Sequence, residues 1–166
     1  MENLKIIWKK ILNPDDLQRA LALWRFKGRK IVFTNGCFDL LHLGHIDYLS
    51  KAKDLGDVLI VGVNTDNSVK MLEKGDSRPI TDENSRAVIM ASLQFVDAVV
   101  LFDEETPYNL IKTVQPDVLV KGSDYRIEDV VGYDIVKNNG GKVISIDLLP
   151  GYSTTAIEQK IKQGNS

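Results

Sequence analysis

The chain contains two histidines, three residues apart in His42-Leu43-Gly44-His45, and the stretch Thr34-Asn35-Gly36-Cys37-Phe38-Asp39-Leu40-Leu41 leads into them. Imidazoles are well suited to donating hydrogen bonds to an anion, and Gly44 removes a side chain where a ligand would approach. An apolar, strand-like run precedes this stretch and an amphipathic helical pattern follows it. A helix start carries unpaired N–H groups, so two imidazoles and those groups would converge on one phosphate. Either histidine alone reads equally well as a surface residue; their spacing across the turn favours chemistry. Zinc ligation competes, but only Asp39 and Cys37 stand at ligand spacing, and no metal is assigned to protein ligands. Cys37 is the single cysteine, so no internal disulfide forms and no redox role is assigned.

Other polar residues gather after apolar runs. Lys121-Gly122-Ser123-Asp124 follows one, and Gly151-Tyr152-Ser153-Thr154-Thr155 follows another. Ser153 is a natural helix cap, and the same geometry would present hydroxyls and N–H groups to an anion. Lys121 reads as a solvated strand end or as a ligand. Lys70, Lys74, Arg78 and Arg86 read as an ordinary charged face or as an anion clamp, with Arg86, inside a helical pattern, closest to the ordinary face. Asp39 is a turn-former or a substrate contact.

These residues need a scaffold that gathers them. Asn13-Pro14-Asp15-Asp16 supplies a cap, a proline at the first helical position and two carboxylates, predicting a helix over 14–26. Strands are predicted at 30–34, 57–64, 97–102, 117–121 and 142–146, each a short apolar run of the kind a doubly covered sheet needs. Helical patterns lie between them: from the histidines to Gly56, from 81–83 through Leu93, from Thr106-Pro107 to about Val114, and from 128 to 139 before Gly140-Gly141; a last one begins at Ser153. Residues 1–12 mix apolar and basic side chains without a period and receive no assignment. Strand, helix, strand alternation implies parallel pairing through right-handed crossovers: an α/β, doubly wound, Rossmann-like sheet of about five parallel strands with helices on both faces. Ligands of such sheets bind beyond the carboxyl ends of the strands, where strand order reverses. The expected organisation is one globular unit, with residues 1–29 as an extension and helix packed on a domain of residues 30–166.

Composition sets outer bounds. The 166 residues are 43% hydrophobic and 27% charged, enough to bury one core, and the formal charge of −2 argues against a non-specific nucleic-acid binder. No charged-then-apolar leader and no long apolar run is present in the sequence, so the expectation is a cytoplasmic protein that neither spans nor binds a membrane. Phe95, Val96 and Val99 read equally as a homodimer contact or as core.

The residues also carry a resemblance. Gly36-Cys37-Phe38-Asp39-Leu40-Leu41-His42-Leu43-Gly44-His45 resembles the signature of the nucleotidyltransferase superfamily with the His-x-Gly-His motif, and Tyr152-Ser153-Thr154-Thr155 resembles its second motif. More narrowly, Thr34-Asn35-Gly36-Cys37-Phe38-Asp39, Gly75-Asp76-Ser77-Arg78-Pro79, Val120-Lys121-Gly122-Ser123-Asp124-Tyr125 and Gly151-Tyr152-Ser153-Thr154-Thr155 are similar to the adenylyltransferase domain of the bifunctional enzymes of ADP-heptose synthesis. That resemblance covers roughly residues 30–161. It implies the doubly wound fold and a reaction in which D-glycero-D-manno-heptose 1-phosphate attacks the α-phosphate of ATP in line, giving ADP-heptose, a lipopolysaccharide precursor, and pyrophosphate.

It also implies roles. His42, His45 and Lys121 would be catalytic. Gly36, Cys37, Phe38, Gly44, Gly122 and Asp124 would line the nucleotide; Ser153, Thr154 and Thr155 would hold phosphate oxygens; and Lys74 and Arg78 would close over the leaving group. Asn35 and Asp39 would face the sugar phosphate, and Mg2+ would accompany ATP. The sugar-kinase domain of the bifunctional enzymes has no counterpart here, so a separate kinase is the expected source of the sugar phosphate. Related glycerol-3-phosphate cytidylyltransferases carry an arginine ahead of the second motif, where this chain has Leu148-Leu149-Pro150. Transfer of a cytidylyl or adenylyl group to another phosphorylated acceptor, such as glycerol 3-phosphate, is the alternative. A non-catalytic nucleotide-binding module is the second, against which the intact histidine pair argues.

Overall fold

The computed structural model describes residues 2–72, 78–123 and 126–164. Five strands, β1 (Ile31–Gly36), β2 (Val58–Asn64), β3 (Ala98–Phe102), β4 (Val118–Gly122) and β5 (Lys142–Ile146), form one sheet in the order β3-β2-β1-β4-β5, every pair parallel. The chain steps outward from β1 to β2 to β3, then returns to the other side of β1 for β4 and β5. Strand order therefore reverses between β1 and β4.

Register sharpens that point. β1 pairs with β2 along its whole length, from Ile31↔Val58 to Gly36↔Val63, but with β4 only at Val32↔Val118 and Phe33↔Leu119. Beyond Phe33 and Leu119 the two central strands part. The carboxyl ends of β1 and β4 thus flank a split, and the backbone polar groups there are left for other partners.

Helices cover both faces, and alternation along the strands assigns each side chain to one of them. Val32, Val61, Val118 and Val120 pack with α3 (Leu43–Lys53) and α5 (Glu83–Ser92). Ile31, Phe33, Ile60 and Leu119 pack with α2 (Pro14–Phe26), α6 (Tyr108–Val114) and α7 (Tyr133–Asn138). Each fully buried aliphatic or aromatic side chain contributes about 1.5–3 kcal/mol, so these two layers dominate the stability. In α2 the Asn13 side chain accepts the Asp16 N–H, Pro14 opens the first turn, and Leu17 and Leu21 face the core.

Two segments depart from expectation. Residues 1–12 contain α1 (Glu2–Trp8), packed on α5 through Ile7, followed by an extended link in which Ile11 bridges Val99 in parallel. The Val99 N–H donates to Lys10 O and the Leu12 N–H to Val99 O, both at 2.8 Å, so the link covers the edge that β3 would otherwise expose. The helix predicted over 128–139 is instead a 3-10 turn, Ile127–Asp129, and the shorter α7. Gly132 breaks it with φ 87°, and a Cβ there would lie 2.8 Å from Ile111, so α6 packs against the interruption. Among the described residues no helix is long and apolar enough to cross a membrane. Val96 and Val99 are fully buried and Phe95 packs against the same core cluster, which accounts for all three residues without a dimer contact.

Candidate active site

The carboxyl end of β1 is held by its neighbours before it turns. The Thr34 and Tyr48 hydroxyls share a buried hydrogen bond of 2.8 Å, tying the strand to α3. Phe38 then adopts a left-handed conformation, φ 49°, a cost of order 1–2 kcal/mol for a residue with a Cβ. The turn brings the Phe38 ring against Gly36, where a Cβ would lie 3.1 Å from it, and edge-on to His45 at 5.3 Å between centroids.

Helix α3 begins at Leu43 with His42 at its cap position, and no side chain among the described residues caps it. Its leading N–H groups are left to whatever enters the cavity. The rings of His42 and His45 stack at 3.8 Å between centroids, 21° from parallel. Both Nδ1 atoms are buried and lack a hydrogen-bond partner among the described residues. Buried polar atoms are rarely left unpaired, so two side by side mark a place built for a ligand. Burial pushes both imidazoles below their ordinary value, and His45, with His42 adding to the effect, falls to about 4. The pair is therefore neutral near pH 7 and donates hydrogen bonds as imidazole. Gly44 permits this packing: a Cβ there would stand 3.1 Å from both His42 Nδ1 and Tyr152 Cβ. Its missing side chain makes room for the protein's own second motif as well as for a ligand.

Three contiguous cavities run along the rim. The central one, about 310 Å³, lies over the split and takes in Asn35, Gly36, Cys37, Phe38, His42, Gly44, His45, Lys121, Gly122, Ser153 and Thr154, with Leu148, Leu149 and Tyr152 as an apolar wall. An outer cavity of about 420 Å³ adds Asp39, Arg78 and Thr155. A flank cavity of about 260 Å³ opens on the side of α6, sharing Asn35, Gly36, Cys37 and Lys121 with the central one. The fold thus gathers along this rim every residue to which the resemblance gives a role and that lies within the described residues; Lys74 and Asp124 lie outside them. Lys70, on α4 (Asp66–Met71), lines none of the three.

Helix α8 (Thr154–Gln163) is capped by Ser153, whose hydroxyl accepts the Ala156 N–H at 3.1 Å. Capping occupies one lone pair and leaves the O–H to donate elsewhere, and Ser153 lines the central cavity. Asp39 is engaged by protein: Arg78 Nη1 donates to it at 2.8 Å, the Ile80 and Thr81 N–H groups at 2.9 Å, and the Thr81 hydroxyl to its carbonyl and carboxylate. Burial works against its charge, but the two N–H groups, Arg78 and Thr81 outweigh it and hold the carboxyl below the usual carboxylate range. Arg78 Nη2 also pairs with Glu158 of α8 at 2.9 Å, so one guanidinium joins the first motif to the second.

Arg86 is the residue that sequence reasoning misjudged. It is no part of a charged face but is 0% exposed. Its guanidinium donates to the carbonyls of Cys37 at 2.8 Å, Asn64 at 2.6 Å and Thr81 at 3.0 Å, and to Asp66 at 2.6 Å. It thereby ties the motif turn, the end of β2 and the entry to α5 together. The available signal was its place in the apolar stripe of α5, beside Ala87 and four residues before Met90. Glu158 carried no such signal.

A parallel sheet split where its strand order reverses, with paired imidazoles and the start of α3 facing the split, makes a site suited to a phosphorylated ligand. The chain belongs to the cytidylyltransferase-like family, which matches residues 33–160. It is 54% identical over 154 residues to the bifunctional protein HldE of Wolinella succinogenes and 60% identical over 136 residues to that of Nitratiruptor sp., covering 93% and 82% of this chain. These alignments span 31% and 28% of the relatives' own lengths, less than a third. The crystal structure of a lipopolysaccharide core biosynthesis protein from Thermoplasma volcanium is 34% identical, with TM-score 0.61, covering 74% of this chain and 98% of that one. Pantoate-beta-alanine ligase from Francisella tularensis, 21% identical with TM-score 0.62, covers 94% of this chain and 78% of its own and shares the fold.

Proposed function

We propose that the chain is a sugar-phosphate adenylyltransferase that joins D-glycero-D-manno-heptose 1-phosphate to the adenylyl part of ATP, giving ADP-heptose and pyrophosphate. The observation that carries the reaction class is the stacked histidine pair with two unpartnered buried nitrogens over the split. The acceptor is read from the likeness to HldE proteins over most of the chain. A sugar phosphate is already anionic, so no general base is needed. One of its phosphate oxygens bonds to the α-phosphorus as the bond to pyrophosphate breaks, and the charge leaves with the pyrophosphate. The protein's task is to align the two phosphates and to donate hydrogen bonds where charge develops.

In this reading His42, His45 and the start of α3 donate to the triphosphate and to the transition state. Lys121, which lines both the central and the flank cavity, would donate to the reacting phosphates. Gly36, Cys37, Phe38, Gly44 and Gly122 give the nucleotide close backbone approach, while Ser153, Thr154, Thr155 and Arg78 take the leaving pyrophosphate. Asn35 faces the acceptor; Asp39 serves it indirectly, by positioning Arg78. Lys74 and Asp124 keep the roles that the resemblance gives them. Asp39, the carboxylate in the outer cavity beside the triphosphate donors, is occupied by Arg78 and Thr81, so the chain fits an Mg2+ carried on triphosphate oxygens and water rather than in a protein cage. Such an ion would neutralise charge on the phosphates. The acceptor's own phosphate must come from a kinase reaction, and these polar substrates belong to the cytoplasm.

Incubation with mixed nucleoside triphosphates and a panel of sugar 1-phosphates, read by mass spectrometry, tests base and acceptor together. ADP-heptose is the expected product. Pyrophosphate should appear only when a sugar 1-phosphate and ATP are both supplied; release from ATP alone would point to a hydrolase.

A further inference from the structure

The flank cavity is not absorbed by the nucleotide, and its lining differs in kind from the rest of the rim. Two exposed carboxylates, Glu105 and Asp129, line it together with the buried, apolar Pro107 and Val130, and it shares Asn35 and Lys121 with the central cavity. Two carboxylates disfavour a triphosphate. They are good acceptors for the hydroxyls of a neutral polyol, and an apolar wall suits the C–H face of a sugar. Asp129 has one ionic neighbour among the described residues, Arg126 at 4.0 Å on an exposed surface, which leaves its oxygens available.

The order of the cavities gives a second, independent argument. The outer cavity meets the central one at Cys37, Phe38, His45 and Thr154, whereas the flank cavity meets it at Asn35, Gly36, Cys37 and Lys121. Outer and flank cavities share only Cys37. In-line displacement needs attacking and leaving oxygens on opposite sides of the phosphorus. With Arg78, Thr154, Thr155 and His45 around the outer cavity, pyrophosphate leaves there, and the attacking phosphate enters across the split from the flank.

We propose that the flank cavity is the acceptor subsite, in which Lys121 and Asn35 take the phosphate of a polyhydroxylated sugar phosphate and Glu105 and Asp129 take its distal hydroxyls. This rests on the reading of the chain as a sugar-phosphate adenylyltransferase. The two carboxylates would then select for acceptors that carry hydroxyls beyond those next to the phosphate.

Steady-state kinetics of the full chain with MgATP and D-glycero-D-manno-heptose 1-phosphate test it, comparing wild type with E105Q, D129N and the double variant. Each single variant should raise KM for the sugar phosphate by about tenfold or more, the effect of losing a hydrogen bond to a charged group, with KM for ATP within about twofold of wild type. Both residues are exposed, and an unchanged thermal shift on adding MgATP verifies the fold and the nucleotide site. If wild type forms no ADP-sugar, the functional reading falls and the subsite with it. If wild type forms product and the double variant leaves KM for the sugar phosphate unmoved, the subsite alone is overturned. An equal rise in KM for ATP overturns it too, since the carboxylates would then serve the nucleotide.

Discussion

Two imidazoles lie face to face at 3.8 Å, half-buried and neutral near pH 7, each with a buried Nδ1 that has no partner among the described residues. In the proposed reaction they would give hydrogen bonds to the charge that develops, without having to reorganise first. His42→Ala or His45→Ala should leave the circular dichroism spectrum unchanged while lowering turnover by roughly a hundred- to a thousandfold. Near-normal turnover in purified variants would falsify the assignment. The same burial has a cost in acid. His45 binds its proton near 4 in the native state, against 6.5 ordinarily, so between those values the unfolded chain carries a proton that the folded chain excludes. Its contribution is fully present above about pH 6.5 and is lost as the pH falls toward 4. Thermal melts at pH 7 and pH 5 should show a larger drop for wild type than for His45→Gln; equal drops would count against this titration.

Among the elements, α5 and α8 set the geometry of the motif turn without supplying the paired imidazoles. Arg86 on α5 satisfies three backbone carbonyls and Asp66 from a position with no solvent access. Lysine cannot reproduce that fork. Arg86→Met should lower stability by about 3 kcal/mol or more, because it strands those acceptors in the core, and a urea titration measures the loss. Arg86→Lys should fall between wild type and Met and should raise KM for ATP, since the Cys37 carbonyl is one of the four groups held. On α8, Ser153→Ala removes an exposed cap worth about 1 kcal/mol, so its effect on Tm should be small while KM for ATP rises. A large Tm loss with unchanged KM would make Ser153 a cap alone.

For the whole molecule, the first 29 residues are part of what holds the sheet closed. The family match begins at residue 33, yet α2 places Leu17 and Leu21 in the core and residues 10–12 cover the outer edge of β3. We expect a chain starting at residue 30 to lose cooperative unfolding in denaturant, because a core face and a sheet edge are bared together. A sharp two-state transition in that truncated chain would make residues 1–29 dispensable. Ligand binding acts at this scale too. MgATP at a hundred times its Kd should add about 2.7 kcal/mol to stability, seen as a rise in Tm, and the rise should shrink in His42→Ala.

Much of the fold was legible because it rests on local physics. Runs such as Val58-Leu59-Ile60-Val61 are apolar on both faces and so demand helices on both sides, and alternation with helical patterns leaves one handed way to connect them. Residue types and spacing singled out His42, Gly44, His45 and Ser153 as candidates for a phosphate site, and the fold gathers the four at one cavity. Partnership across the fold was not legible. The sequence marks Arg78, Asp39 and Glu158 as charges, and only packing joins the three; Arg86 reads as surface until the tertiary structure closes three loops around it. The split between β1 and β4 is likewise a tertiary fact, set by where two strands cease to pair rather than by either strand's composition. Side-chain chemistry is local and survives in the sequence, whereas burial and opposition across a split depend on residues far apart along the chain.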